Sequence, residues 1–150
     1  MSEKTFLFEI LTLQKSFLQQ AVRFVVAPGQ EGVFEILPDH APFVFALKPG
    51  VLRIHTPDGK DSYVAIGTGF LIVQKERTTV LARSAERPED IDAERARQAK
   101  ERAEERLRLR ASEIDVARAQ SAFQRALARL KVAEHSQGKT SVNYSRSEKR

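Results

Sequence analysis

The chain has 150 residues, of which 41% are hydrophobic, enough for one ordinary domain or two small ones with a compact core. It contains no cysteine, which excludes disulfides, thiolate nucleophiles and thiolate metal sites and fits a reducing compartment. The formal charge of +5 is unevenly spread, with nine Lys/Arg against eight Asp/Glu in residues 1–85, 12 against 11 in 86–135 and four against one in 136–150, so a basic nucleic-acid groove is not supported in the two larger regions.

Thr5 to Leu13 is β-branched and aromatic, the first predicted strand. Gln20 to Ala27 alternates, with Val22, Phe24 and Val26 expected on one face, and stops at a Pro28-Gly29 turn. Glu31 to Leu37 follows, then a turn at Pro38-Asp39-His40-Ala41-Pro42, the strand Phe43 to Leu47, a Lys48-Pro49-Gly50 turn and the strand Val51 to Thr56. In Thr56-Pro57-Asp58-Gly59, Pro presets φ and Gly supplies a positive φ, the signature of a hairpin turn. Ser62 to Ile66, Gly69 to Gln74 and Thr78 to Arg83 complete eight to ten short strands, and eight of the nine Phe lie before Leu71. The expected first domain, residues 1–85, is an antiparallel β-sandwich or barrel.

Composition changes near Ser84 to Pro88, opening a second domain over residues 86–135. Glu89 to Arg110 has no Gly or Pro, and Ala96, Ala99, Ala103 and Leu107 recur on one helix face. Pro88 is read as lying in or before the first helical turn, with Glu89, Asp90 and Asp92 complementing the dipole. Ser112-Glu113-Ile114-Asp115 is a capping signal for a second helix carrying Ala119, Ala122, Phe123, Ala126, Leu127, Leu130 and Ala133. The fold class is thus α+β, a sandwich followed by an antiparallel two-helix hairpin. An Ala-rich seam buries little apolar surface at about 25 cal/mol per Å², so the hairpin reads either as a mobile element or as a static cover on the sandwich. Residues 136–150 are polar and basic, expected to be a disordered tail.

His40 sits in a turn with no nucleophile or metal-ligand partners in sight, and is expected to hydrogen-bond locally or touch a partner. Gly67-Thr68-Gly69 joins two strands rather than a strand and a helix, which makes it a turn or bulge and not a phosphate loop. Gly138-Lys139-Thr140 lacks the first glycine and the preceding strand of such a loop. No catalytic or metal constellation emerges, and an enzyme is the least supported class.

The three turns, in this order, resemble the epsilon subunit of bacterial F-type ATP synthase, homologous to the mitochondrial delta subunit. The likeness extends through Ala85 to Ala96, where Ile91-Asp92-Ala93-Glu94-Arg95-Ala96 is similar to the family's Ile/Leu-Asp-x-x-Arg-Ala motif, and through Arg125 to Leu130. It implies a noncatalytic rotor subunit of the central stalk, with gamma, the c-ring and the alpha and beta subunits of the catalytic head as partners, coupled to proton or sodium transport. It also implies inhibition of ATP hydrolysis by mobile C-terminal helices. By the same resemblance, Glu86, Ile91, Asp92, Arg95, Ala96, Arg125 and Arg129 frame a nucleotide, with ATP a regulatory ligand and no cofactor required. The bare reading of these residues is a solvated Arg-rich face. Glu31 with Pro38, Asp39, His40, Ala41 and Pro42 is the implied c-ring contact, and Arg118, Arg125, Arg129 and Lys131 the implied contact with the catalytic head.

Apolar runs too short to span a bilayer and an N-terminus without signal or transit features agree with a peripheral place on the cytoplasmic face of the bacterial inner membrane. Asp39 stands where many members have Gly, Thr68 interrupts a region often written Ser-Gly-Gly, and Val33-Phe34-Glu35 replaces the commoner Glu-Leu-Gly. An independent ATP-sensing module is the alternative, separated from the first reading by copurification with gamma.

Overall fold

The computed structural model describes residues 3–110 and 112–136. Among the described residues, ten strands precede two helices: β1 Phe6–Leu11, β2 Ser16–Val22, β3 Phe24–Gly29, β4 Gly32–Ile36, β5 Phe43–Leu47, β6 Gly50–His55, β7 Asp61–Ile66, β8 Gly69–Val73, β9 Arg77–Ala82 and β10 Ala85–Glu86. Their spatial order is β10-β7-β6-β3-β5-β8-β9-β1-β2, with β4 beside β3. All pairs are antiparallel except β1 with β9, which run parallel from Leu7↔Arg77 to Leu11↔Leu81. β3 joins the two halves: along the edge opposite β4 it pairs with β6 at Phe24 to Val26 and with β5 at Gly29. Folding over at this strand brings Phe8, Ile10, Val25, Ile36, Leu47, Leu52, Ile54, Leu71 and Val80 into one core with no helical residue in it.

The strand expected over Gln20 to Ala27 is interrupted at Arg23, where the chain bends and the Arg23 N–H donates to the His55 carbonyl at 2.8 Å. The inward phase slips there. Val22 is buried in β2, but Val25 and Ala27, not Phe24 and Val26, enter the core from β3. The turn at Thr56 to Lys60 matches its spelling, with the Gly59 N–H donating to the Thr56 carbonyl at 2.9 Å and Gly59 at φ 84°. Gly69 is required by close approach, because an added Cβ would stand 2.0 Å from the Leu81 carbonyl oxygen.

The helices are α1 Ala93–Leu109 and α2 Glu113–Ala133. Pro88 does not start α1. It opens a single 3-10 turn, Pro88–Asp90, followed by extended Ile91, and the helix begins after Asp92, whose side chain accepts from the Arg95 N–H at 3.1 Å. Extending Ile91 lets it reach the apolar patch under α2. Ser112 caps α2 as its sequence implies, accepting from the Asp115 N–H at 3.1 Å. The α1–α2 seam buries Ala96, Ala103, Ala119 and Ala126, and α2 lies across β6 and β7. Among the described residues, no helix is long and apolar enough to cross a membrane. Of the tail expected at 136–150, everything after Ser136 lies outside the described residues, Gly138-Lys139-Thr140 included.

Candidate functional sites: the helix seam and the aromatic end

On the outer face of β6 and β7, Val51, Tyr63 and Ala65 pack with Ile91 and with Ala128 and Val132 of α2. This patch is small and separate from the sandwich core. At its flank the Arg129 Nε–H donates to Glu86 Oε1 at 2.6 Å, a pair with both side chains about one-third exposed. Arg125, one turn earlier, donates from Nη1 to Ser121 Oγ at 2.9 Å and lines, with Glu86, Arg129, Ser84, Ala65 and Ile66, a cavity of about 10 Å³. The fold therefore brings Glu86, Arg125 and Arg129 together across 43 residues.

The other residues implied for a nucleotide are placed differently. Ile91 belongs to the apolar patch, Asp92 caps α1, Ala96 is buried in the helix seam and Arg95 is exposed. A 10 Å³ cavity has room for about one water. In this arrangement the Arg129 Nε–H, one of the five guanidinium donors, is taken by Glu86. Of the residues implied for head contact, Arg118 and Lys131 are exposed, whereas Arg125 and Arg129 are half-buried and engaged as described.

The loop at residues 38–42 adjoins an aromatic cluster at one end of the sandwich. Phe45 stacks on Phe34 with ring centroids 4.1 Å apart and meets Phe43 at a tilt with centroids 4.6 Å apart, and the His40 ring meets Phe45 edge-on at 6.0 Å. His40 Nδ1–H donates to the Ala41 carbonyl at 2.6 Å, which fixes its tautomer. Asp39 adopts φ 63°, the left-handed conformation that glycine takes without strain, and its carboxylate pairs with Lys4 Nζ at 2.7 Å. That ion pair raises the Lys4 pKa, the hydrogen bond being the larger cause and the charge of Asp39 the second. Glu31 stands apart, at the β3–β4 turn, with the length of β4, about 17 Å, between it and the loop.

A second apolar surface crosses β5, β8 and β9. Register sets Val44 opposite Ile72, Ala46 opposite Phe70, and Phe70 opposite Leu81. Val44, Phe70 and Leu81 are exposed. Sequence reasoning did not single out these residues, nor Tyr63, nor Arg87, which anchors the interdomain link. The continuous apolar run Tyr63 to Ile66 is the signal available for a strand covered on both faces.

Comparisons with known proteins match two consecutive segments of the chain. Residues 5–88 match the beta-sandwich domain of the ATP synthase delta/epsilon chain, and residues 89–134 match its long alpha-helix domain. An ATP synthase epsilon chain of Koribacter versatilis is 47% identical over 140 residues, covering 93% of this chain and 98% of that protein. One from Syntrophomonas wolfei is also 47% identical, over 111 residues, covering 74% and 81%. A chain in the structure of the Euglena gracilis mitochondrial ATP synthase superposes with a TM-score of 0.74 at 23% identity, covering 86% of this chain and 81% of that one. The chain therefore belongs to the ATP synthase delta/epsilon chain family, noncatalytic subunits built as a β-sandwich followed by a helical hairpin.

Proposed function

We propose that the chain acts in the central stalk of a bacterial F-type ATP synthase, coupling the catalytic head to the c-ring, and that its hairpin leaves the sandwich to restrain ATP hydrolysis. The observation that carries the inhibitory part is the division of cores. The sandwich is held by large buried side chains of its own, while the hairpin rests on it through Ala65, Ala128, Val132 and a few half-buried neighbours. An element so lightly attached exchanges partners when another surface offers more area.

The Phe34–Phe43–Phe45 cluster with the loop at 38–42 is the proposed c-ring contact, and Val44, Phe70 and Leu81 the proposed gamma contact, since exposed apolar surface of this kind marks an interface. Binding through these two surfaces holds the subunit at the cytoplasmic face of the inner membrane. ATP is proposed as a regulatory ligand at Glu86, Asp92, Arg95, Arg125 and Arg129, its phosphates taking Arg129 from Glu86. Paired guanidiniums one helical turn apart suit phosphate oxygens.

The test adds the chain to an epsilon-free catalytic head containing gamma. Stable association and slowed hydrolysis are expected from the full chain. A chain ending at Arg87, which keeps β10 and its link to the sandwich, should associate without slowing. Equal inhibition by both would overturn the role given to the hairpin; failure of both to associate would favour an independent ATP-sensing module.

A further inference from the structure

Tyr63 and His135 form the closest ring stack among the described residues, with centroids 3.7 Å apart and planes within 10°. Tyr63 lies on the outer face of β7, opposite Arg53 of β6. His135 belongs to a 3-10 turn, Glu134–Ser136, that follows α2. This turn packs against the Pro88–Asp90 turn through which the chain enters the hairpin, so His135, just past the end of α2, is fastened beside the hairpin's first turn.

The other side of that link is fixed. Arg87 donates from Nη2 to the Phe17 carbonyl at 2.9 Å, and its guanidinium carbon sits 4.2 Å from the centre of the Phe17 ring. Between this anchor and α1 lie only the 3-10 turn, extended Ile91 and the cap Asp92. Apart from the buried Val132, the rest of the attachment is weak by composition. Ala65 and Ala128 bury one methyl each, and the Glu86–Arg129 pair is screened by solvent.

We propose that the Tyr63–His135 stack is the clasp that sets how often the hairpin leaves the sandwich, with residues 88–92 as its hinge. The clasp deepens the reading of a releasable hairpin and rests on it for its consequence in the enzyme, but it is measurable on the isolated chain. A flat ring stacked on Tyr63 contributes beyond its buried area, and being at the very end of the hairpin it can be removed without disturbing either core.

Native-state hydrogen exchange on the full chain tests this. In His135→Ala, the amides of Ala128 to Ala133 should exchange about five- to tenfold faster, with β1, β8 and β9 unchanged. His135→Phe, which keeps a planar ring and discards the imidazole, should restore the original rates. Unchanged α2 exchange in His135→Ala overturns the clasp. So does failure of His135→Phe to rescue, or acceleration of the sandwich by the same factor. A His135→Ala chain that opens faster yet leaves the ATPase rate of the reconstituted head unaltered supports the clasp and overturns the inhibitory reading, which keeps the two failures apart.

Discussion

Val132 tests how independently the two domains are stabilised. Its side chain is 0% exposed and meets Ala65, Ala128, Val51, Tyr63 and Ile91 without touching the sandwich core cluster. Val132→Ala removes two buried carbons at about 0.8 kcal/mol each and leaves a small residual cavity, for a loss of about 2 kcal/mol. If docking of the hairpin is a separate equilibrium, the whole loss falls on it and the opening constant rises about 30-fold, since about 1.4 kcal/mol is a factor of ten. The assay is amide exchange under native conditions, reading α2 against β1, β8 and β9, with global stability followed by denaturant unfolding. The reasoning is refuted if sandwich and helix amides accelerate together, which would make the chain one cooperative unit. It is equally refuted if α2 exchange does not change, because Val132 would then contribute nothing to docking.

Gly69→Ala should lower stability by on the order of 3 kcal/mol, since β8 or β9 must move to admit the methyl 2.0 Å from the Leu81 oxygen. Gly67→Ala meets the rotatable Ser84 hydroxyl at 2.8 Å and otherwise only ordinary contacts at 3.5 Å and beyond, and should melt closer to the parent; similar thermal midpoints for the two would refute the steric account. Arg110 closes α1 at φ 46°, so Arg110→Gly should stabilise the hairpin by about 1 kcal/mol, read as slower exchange in α1 and α2. The Asp58 carboxyl is held below its ordinary value, chiefly by the Thr56 hydroxyl that donates to it. A depressed carboxyl stabilises the fold above the ordinary carboxylate range and loses that contribution as pH falls through its folded value. Thr56→Val should raise the Asp58 titration midpoint toward normal in an NMR titration, and an unmoved midpoint would contradict the assignment.

The sandwich was legible because its turns are spelled with residues that do specific backbone work, as at Pro57-Asp58-Gly59. The break at Arg23 was not, because Phe24 to Ala27 is apolar in both alternating phases and either pair could face a core by composition. The start of α1 was misplaced for a similar reason. Pro88 followed by Glu89 and Asp90 has the chemistry of a first helical turn, but burying Ile91 beside Ala128 and Val132 requires an extended residue and defers the helix to the Asp92 cap. For the site, Glu86, Arg125 and Arg129 came from family resemblance and do converge, whereas spacing on α2 alone could show only that the two arginines share a face. Tyr63 and His135 are 72 positions apart in the numbering, and their meeting depends on where α2 ends over β7, a tertiary fact that no local pattern carries.

One ion pair gives the proposed regulation its sign. With the hairpin docked, Arg129 is committed to Glu86 and Arg125 lies half-buried beside it. An acidic surface of the catalytic head can use these arginines only after they have left, so its binding draws the equilibrium toward the open hairpin. A phosphate that replaces Glu86 while α2 remains over β6 and β7 does the opposite, since it keeps both guanidiniums satisfied in place. In the proposed scheme the two ligands compete through the position of one helix, and linkage requires the effect to be reciprocal. Nucleotide should weaken association of the hairpin with the head by the same factor by which the head weakens nucleotide binding. Glu86→Gln separates the contributions, because it removes the internal carboxylate while leaving both arginines. In that chain, opening in the absence of nucleotide should increase while phosphate binding tightens, measured by exchange and by calorimetry on the same preparation. If both quantities move in the same direction as hairpin closure, Glu86 is not the group that nucleotide displaces, and the opposed roles of Arg125 and Arg129 fall with it.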